Sequence, residues 1–133
     1  MTTYIGKNAL IIDDDETSIM VMQKLLQQSG MSVSVVSDSI EAGRQLRQMA
    51  LPDVIFLDLE MPRSNGYVVL EVIREIPAMK AIPVVAYTTH TSHLNEVKRA
   101  GFNGFLGKPL DSRQFPAQLA RILAGEAVWE VPG

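Results

Sequence analysis

No cysteine occurs in this chain. That excludes disulfide bonds, thiolate metal ligands and cysteine nucleophiles, and it suits a reducing cytosol without requiring one. Positive charge is also scarce: 12 Lys and Arg against 15 Asp and Glu leave a net charge of −3, so there is no basic field to draw in nucleic acid. No apolar run approaches the ~20 residues of a membrane span. The opening MTTYIGKNAL lacks the apolar stretch of a signal peptide. Tryptophan occurs once, at position 129. These absences leave a soluble, cytoplasmic protein as the expectation. Its 133 residues fit one domain, and a domain of this size buries roughly two-thirds of its unfolded surface without staples.

What is present is a series of short apolar runs: 9-ALII-12, 33-VSVV-36, 54-VIFL-57, 82-IPVVAY-87 and 104-GFLG-107. Their centres lie roughly 20 to 30 residues apart, the period of a repeated strand–helix unit. The intervening segments carry apolar residues at helical spacing. Ile19, Met22 and Leu26 share one face; Ala42, Leu46 and Met49 another; then Val69, Val72 or Ile73, and Ile76; then, more weakly, Leu94, Val97 and Gly101; and last Phe115, Leu119, Ile122 and Leu123. Asp38 with Glu41, and Asp111 with Gln114, have the spacing of capping boxes. Gly30 and Gly125 fall where helix C-caps belong, Pro116 falls in a first turn, and Asn65-Gly66 reads as a turn before the third helix. Five strands alternating with five helices imply an α/β fold with a parallel sheet covered on both faces and right-handed crossovers. The expected strand order is 2-1-3-4-5, the flavodoxin-like doubly wound arrangement. The piece after Gly125, EAVWEVPG, reads as a tail with a lone aromatic.

In such a sheet, sites form beyond the carboxyl ends of the strands where the strand order switches, here between strands one and three. Strand one ends in 13-DDDE-16, strand three in Asp58, strand four in Thr88 and Thr89, and strand five is followed by Lys108-Pro109. A carboxylate after four large apolar residues, as in 53-DVIFLDLEMP-62, is costly unless something holds or uses it. Asp13, Asp14 and Asp58 together with one ammonium, Lys108, leave a surplus of two negative charges. Two unit charges 4 Å apart at an effective dielectric near 20 interact by about 4 kcal/mol, so a divalent cation relieves the site. Oxygen ligands without His or Cys select a hard ion, Mg²⁺ above others in a cell. Carboxylate, ammonium and hydroxyl around Mg²⁺ suit phosphoryl transfer, with Asp58 as nucleophile, Lys108 neutralising phosphoryl oxygens and Thr88 donating a hydrogen bond. Each residue alone has a plainer reading: the aspartates as helix caps, Thr88 as a strand-end hydroxyl, Lys108 as a solvated charge, Phe105 as core. Asp15 and Glu16 read as solvated or capping, His90 and His93 as surface residues.

The motifs 10-LIIDDDE-16, 53-DVIFLDLEMPRSNG-66, 82-IPVVAYTTH-90 and 100-AGFNGFLGKPL-110 resemble, in order and spacing, the receiver domain of two-component response regulators, the chemotaxis response regulator among them. The resemblance spans roughly residues 7 to 124 and implies a receiver domain over 1–125 with a short tail at 126–133. It implies Asp58 as phosphoacceptor and Mg²⁺ as cofactor. Asp14 and Asp58 would ligate the ion, Asp13 would reach it through water, and Glu60 would ligate through its backbone carbonyl. Lys108, ahead of a cis peptide at Pro109, and Thr88 with Thr89 would bind the phosphoryl group. Thr88 and Phe105 would form the switch, Phe105 rotating inward. The implied donor is a phosphohistidine on a histidine kinase or histidine phosphotransfer protein. The implied output surface is the fourth helix, fifth strand and fifth helix, on a monomer or a phosphorylation-linked dimer. Thr stands at 89 where Ala, Gly or Ser is usual, a bulk that narrows access to the acyl phosphate. Phe stands at 105 where Tyr is common, which removes a hydroxyl from the switch.

Other readings use the same residues. The stretch 13-DDDET-17 fits the Asp-x-Asp-x-Thr pattern of haloacid-dehalogenase-like phosphatases, with Asp13 as nucleophile and Asp15 as acid, but leaves Asp58 without a role. A flavin module on the same sheet would need a Ser/Thr/Gly-rich loop where acids stand. A receiver belonging to a hybrid kinase or larger regulator would share the chemistry; the run to VPG without a linker-like extension favours a stand-alone regulator.

Overall fold

A computed structural model describes residues 4–38, 40–61, 64–89 and 91–130. Along the chain run β1 (Asn8–Ile12), α1 (Glu16–Gln28), β2 (Ser32–Val36), α2 (Ala42–Gln48), β3 (Val54–Asp58), α3 (Gly66–Glu75), β4 (Val84–Thr88), α4 (Leu94–Ala100), β5 (Gly104–Gly107), α5 (Phe115–Leu123) and β6 (Val128–Glu130). A two-stranded antiparallel ribbon, Glu60–Met61 with Ser64–Asn65, lies between β3 and α3. The main sheet is parallel throughout, in the order β2-β1-β3-β4-β5-β6.

The first five strands follow the expected doubly wound order. The alternation of side chains along each strand divides the core into two layers. On one face, Leu10, Ile12, Ile55, Leu57, Val84, Ala86 and Phe105 pack against Ala42 and Leu46 of α2, Val69, Leu70 and Ile73 of α3, and Val97 of α4. On the other, Ala9, Ile11, Val54, Phe56, Val85, Tyr87 and Leu106 meet Met22, Leu25 and Leu26 of α1 and Phe115, Leu119 and Ile122 of α5. Val54 to Leu57 are all fully buried, as a strand covered on both faces requires. Each such side chain contributes about 1.5–3 kcal/mol relative to exposure.

The sixth strand was not expected. Val128–Glu130, in the piece that reads as a tail, pairs parallel with β5 in the register Gly104↔Val128, Phe105↔Trp129, Leu106↔Glu130. Two features make this possible. The α5 crossover returns the chain to the open edge of β5, and Gly104 lacks the Cβ that would stand 2.9 Å from the Val128 carbonyl oxygen. Trp129 then packs against the layer that contains Phe105, with the Lys98 ammonium of α4 5.2 Å from its ring centroid. Glu130 accepts hydrogen bonds from Gln118 (2.8 Å) and Arg121 (3.0 Å) of α5.

Helix starts differ in one respect from the sequence pattern. Among the described residues, neither α2 nor α5 carries the side-chain cap that the two expected capping boxes would supply. The Asp38 carboxylate accepts from the Ile40 amide (3.0 Å) and the Asp111 carboxylate from the Arg113 amide (2.8 Å). Both close Asx turns two residues on, and α2 and α5 begin only at Ala42 and Phe115, without side-chain caps. The functional caps are Asp15 on α1, accepting from the Ser18 amide at 2.9 Å, and Asn65 on α3, accepting from the Val68 amide at 3.0 Å. Gly30 and Gly125 follow α1 and α5 with φ of 86° and 90°, the left-handed geometry of helix C-caps.

Candidate functional site

The carboxyl ends of β1, β3, β4 and β5 converge. Asp13 follows β1 directly, Asp58 is the last residue of β3, Thr88 the last of β4, and Lys108 follows β5. Asp58 lies in register with Tyr87, and Thr88 with Gly107. The Lys108 amide donates to the Thr88 carbonyl at 2.8 Å, which ties the two strand ends together. The Lys108–Pro109 peptide is cis.

Carboxylate oxygens of Asp13, Asp14 and Asp58 all lie within 4.8 Å of one another. Asp13 is fully buried and Asp58 is 5% exposed, while Asp14 stands nearer solvent. The Lys108 ammonium is 3.4 Å from Asp13 Oδ2 and 3.8 Å from Asp58 Oδ2. Asp58 Oδ1 accepts from the Glu60 amide at 3.2 Å. Glu60 itself is exposed, at the start of the short ribbon. Removal from water pushes the Asp58 carboxyl up to about 7; Lys108 and the Glu60 amide oppose the shift, and the neighbouring Asp13 adds to it. A buried carboxylate beside two others gains from a cation. The donor set is three oxygen acids with no nitrogen or sulfur ligand, which fits a hard divalent ion such as Mg²⁺.

Two residues that sequence reasoning passed over belong to this cluster. The Tyr87 hydroxyl donates to Asp13 Oδ2 at 2.5 Å, and the Lys108 ammonium sits 4.4 Å from the Tyr87 ring centroid. Burial, and the anionic Asp13 beside it, push the Tyr87 hydroxyl well above its ordinary pKa, so it stays a donor. Ser18, in the first turn of α1, accepts from Lys108 at 2.9 Å. The available signal was a tyrosine as the last apolar position of a buried strand, because a buried Tyr hydroxyl seeks a partner.

Other expected residues fall as follows. Thr88 is 1% exposed. Thr89 is exposed and helps line a cavity of about 420 Å³ with Thr17, Val21, Tyr87, Lys108 and Leu110 among its walls. Phe105 is fully buried, already inside the core, in register with Ala86 on one side and Trp129 on the other. Asp15 is committed to the α1 cap. His93 lies 3.0 Å from Glu96. His90 lies outside the described residues.

A family model described as the response regulator receiver domain matches residues 9–120. The chain belongs to this family. Among similar proteins, Protein PilH of Pseudomonas aeruginosa is 30% identical over 118 residues, covering 87% of this chain and 97% of PilH. The structure of the chemotaxis response regulator CheY4 of Vibrio cholerae is 30% identical, with a TM-score of 0.77 over 87% of this chain and 98% of that one. The receiver domain of the sensor histidine kinase PA1611 of Pseudomonas aeruginosa PAO1 is 26% identical, with a TM-score of 0.79 over 90% and 98%; its structure has a magnesium ion coordinated in the active site cleft. As a receiver domain, the chain takes part in two-component signal transduction. Receivers pair with histidine kinases. Among the described residues, no helix is long and apolar enough to cross a membrane.

Proposed function

We propose that this receiver is a phosphoacceptor switch: Asp58 takes a phosphoryl group from a phosphohistidine with Mg²⁺ bound by the acidic cluster. The observation that carries the reading is the meeting of Asp13, Asp14 and Asp58 within 4.8 Å, with Lys108 3.8 Å from Asp58. An Asp58 carboxylate oxygen attacks phosphorus; the new O–P bond forms as the P–N bond to the donor imidazole breaks, and that nitrogen recovers a proton. Mg²⁺ supplies countercharge for the phosphoryl oxygens. Asp14 and Asp58 would hold the ion directly, Asp13 would reach it through water, and the Glu60 carbonyl would complete the protein ligands. Lys108 moves from the carboxylates to the incoming oxygens, and Thr88 and Thr89 donate to the remaining ones. The protein assists its own phosphorylation and dephosphorylation without turning over a separate substrate.

Phosphorylation adds up to about two negative charges at Asp58. A shift from 1:99 to 99:1 between two states needs roughly 5.5 kcal/mol of preference, a scale that contacts from Mg²⁺, Lys108 and Thr88 together can reach. The output face in this reading is α4, β5 and α5, to which this chain adds β6. In this reading Thr88 leads the switch, and the full burial of Phe105 supports a smaller part for its rotation. The protein acts in the cytoplasm, as a monomer or a phosphorylation-linked dimer, alone or within a larger regulator.

The phosphatase reading loses support at Asp15. Its carboxylate caps α1 instead of facing Asp13. The test is labelling with a small acyl phosphate donor in Mg²⁺: Asp58→Asn should abolish incorporation, whereas Asp13→Asn should slow it. Persistent label on D58N would refute the assignment.

A further inference from the structure

We propose that Tyr87 is a positioning residue of the acidic site, one whose hydroxyl holds the Asp13 carboxylate and thereby lowers the affinity of the site for its divalent cation. The inference rests on reading the acidic cluster as a Mg²⁺ site.

Asp13 is fully buried, and each of its oxygens is engaged. Oδ1 accepts from the Asp15 amide at 2.9 Å. Oδ2 accepts from the Tyr87 hydroxyl at 2.5 Å and faces the Lys108 ammonium at 3.4 Å. The amide is fixed by the turn into α1, and the ammonium must be able to leave for a phosphoryl group. Among the described residues, the hydroxyl is therefore the donor to Oδ2 that neither the α1 turn nor the phosphoryl group claims. It approaches from the α1–α5 layer, whose core Tyr87 shares with Phe115 and Ile11, on the face of the sheet opposite Ala86 and Phe105. The same ring supports Lys108, at 4.4 Å from its centroid. One side chain thus touches both the anion Asp13 and the cation Lys108 of the site.

A hydrogen bond to a carboxylate oxygen spreads its charge and fixes its direction. A cation, or a water bound to it, must compete with that bond for Asp13. Without the hydroxyl, Oδ2 would lack a neutral donor in a desolvated position, and the cation would supply the missing compensation. The site would bind Mg²⁺ more tightly but hold Asp13 less firmly.

The experiment is Mg²⁺ titration by calorimetry of wild type, Tyr87→Phe and Tyr67→Phe. Tyr67 is a suitable control because its hydroxyl, buried in the α3–α4 region, has no hydrogen-bond partner among the described residues. Tyr87→Phe keeps the ring and should bind Mg²⁺ roughly threefold to tenfold more tightly, with Tyr67→Phe unchanged. A second measurement uses wild type alone: the Tyr87 hydroxyl proton should resonate far downfield in metal-free protein, as a donor to an anion, and move upfield as Mg²⁺ is added. Equal or weaker affinity in Tyr87→Phe, or a hydroxyl resonance indifferent to Mg²⁺, would overturn the inference. Failure of wild type to bind Mg²⁺ would instead overturn the metal reading on which it depends.

Discussion

At the scale of single residues, Asp58 carries the most consequence. Its carboxyl is pushed up to about 7 from an ordinary value near 4, chiefly by burial. Between those limits the native state holds a proton at this position that the unfolded chain has released, so stability falls as pH rises through the window and levels off above it. Melting of metal-free wild type and Asp58→Asn between pH 4.5 and 8 isolates this contribution. The variant should gain on wild type as pH rises to 7, and a constant difference across the range would contradict the buried, proton-holding carboxyl. Thr89 offers a smaller effect. It is exposed and lines the cavity beside Lys108, so Thr89→Ala, which trims the bulk but keeps the backbone amide as the donor to the phosphoryl group, should speed labelling by roughly threefold, under 1 kcal/mol of barrier, and leave stability within about 0.5 kcal/mol. Asp13, Asp58, Thr88 and Lys108 were legible from sequence because each ends or follows an apolar run. Tyr87 was not, because within 82-IPVVAY-87 it scores as one more apolar strand residue. Its hydroxyl acquires meaning only when β1 and β4 are placed on either side of β3.

At the scale of elements, two glycines decide close approaches. A Cβ on Gly66 would stand 2.8 Å from the Asp58 carbonyl oxygen and 2.9 Å from Leu59 Cα. The start of α3 can therefore press against the turn that follows Asp58, and Gly66→Ala should cost about 1–3 kcal/mol in denaturant unfolding. Gly104 does the same for β6, and Gly104→Ala should lift Val128 off β5. The lone tryptophan makes this visible: Trp129 emission should shift to the red and lose the quenching of nearby Lys98, while far-ultraviolet dichroism stays nearly unchanged. An unshifted emission would show that β6 tolerates the methyl group. β6 escaped notice in the sequence because 127-AVWEV-131 is too short and too isolated to register as a strand. Its pairing depends on an open β5 edge and on anchors in α4 and α5, all non-local. The displaced caps have a similar origin. An Asp can close an Asx turn or cap a helix, and at Asp38 and Asp111 the local turn won.

At the scale of the whole molecule, the strand order, the two-layer core and the location of the site followed from one rule about doubly wound sheets, applied to five apolar runs. Convergence of acids from separate strand ends is the feature that local motifs could not supply and topology could. In the proposed reading it also makes the fold a sensor of a bound divalent ion. Binding confined to the native state adds about 2.7 kcal/mol at a hundredfold excess over Kd, so saturating Mg²⁺ should raise the melting midpoint by roughly ten degrees. Asp14→Asn should remove most of that rise, and an equal rise in the variant would place the ion elsewhere. The most direct test of the central claim is to locate the phosphoryl group chemically. Wild type labelled by an acyl phosphate in Mg²⁺, reduced with borohydride and digested, should yield homoserine in place of aspartate at position 58 alone, and no product when Mg²⁺ is chelated; modification at position 13, or labelling indifferent to the chelator, would contradict the account.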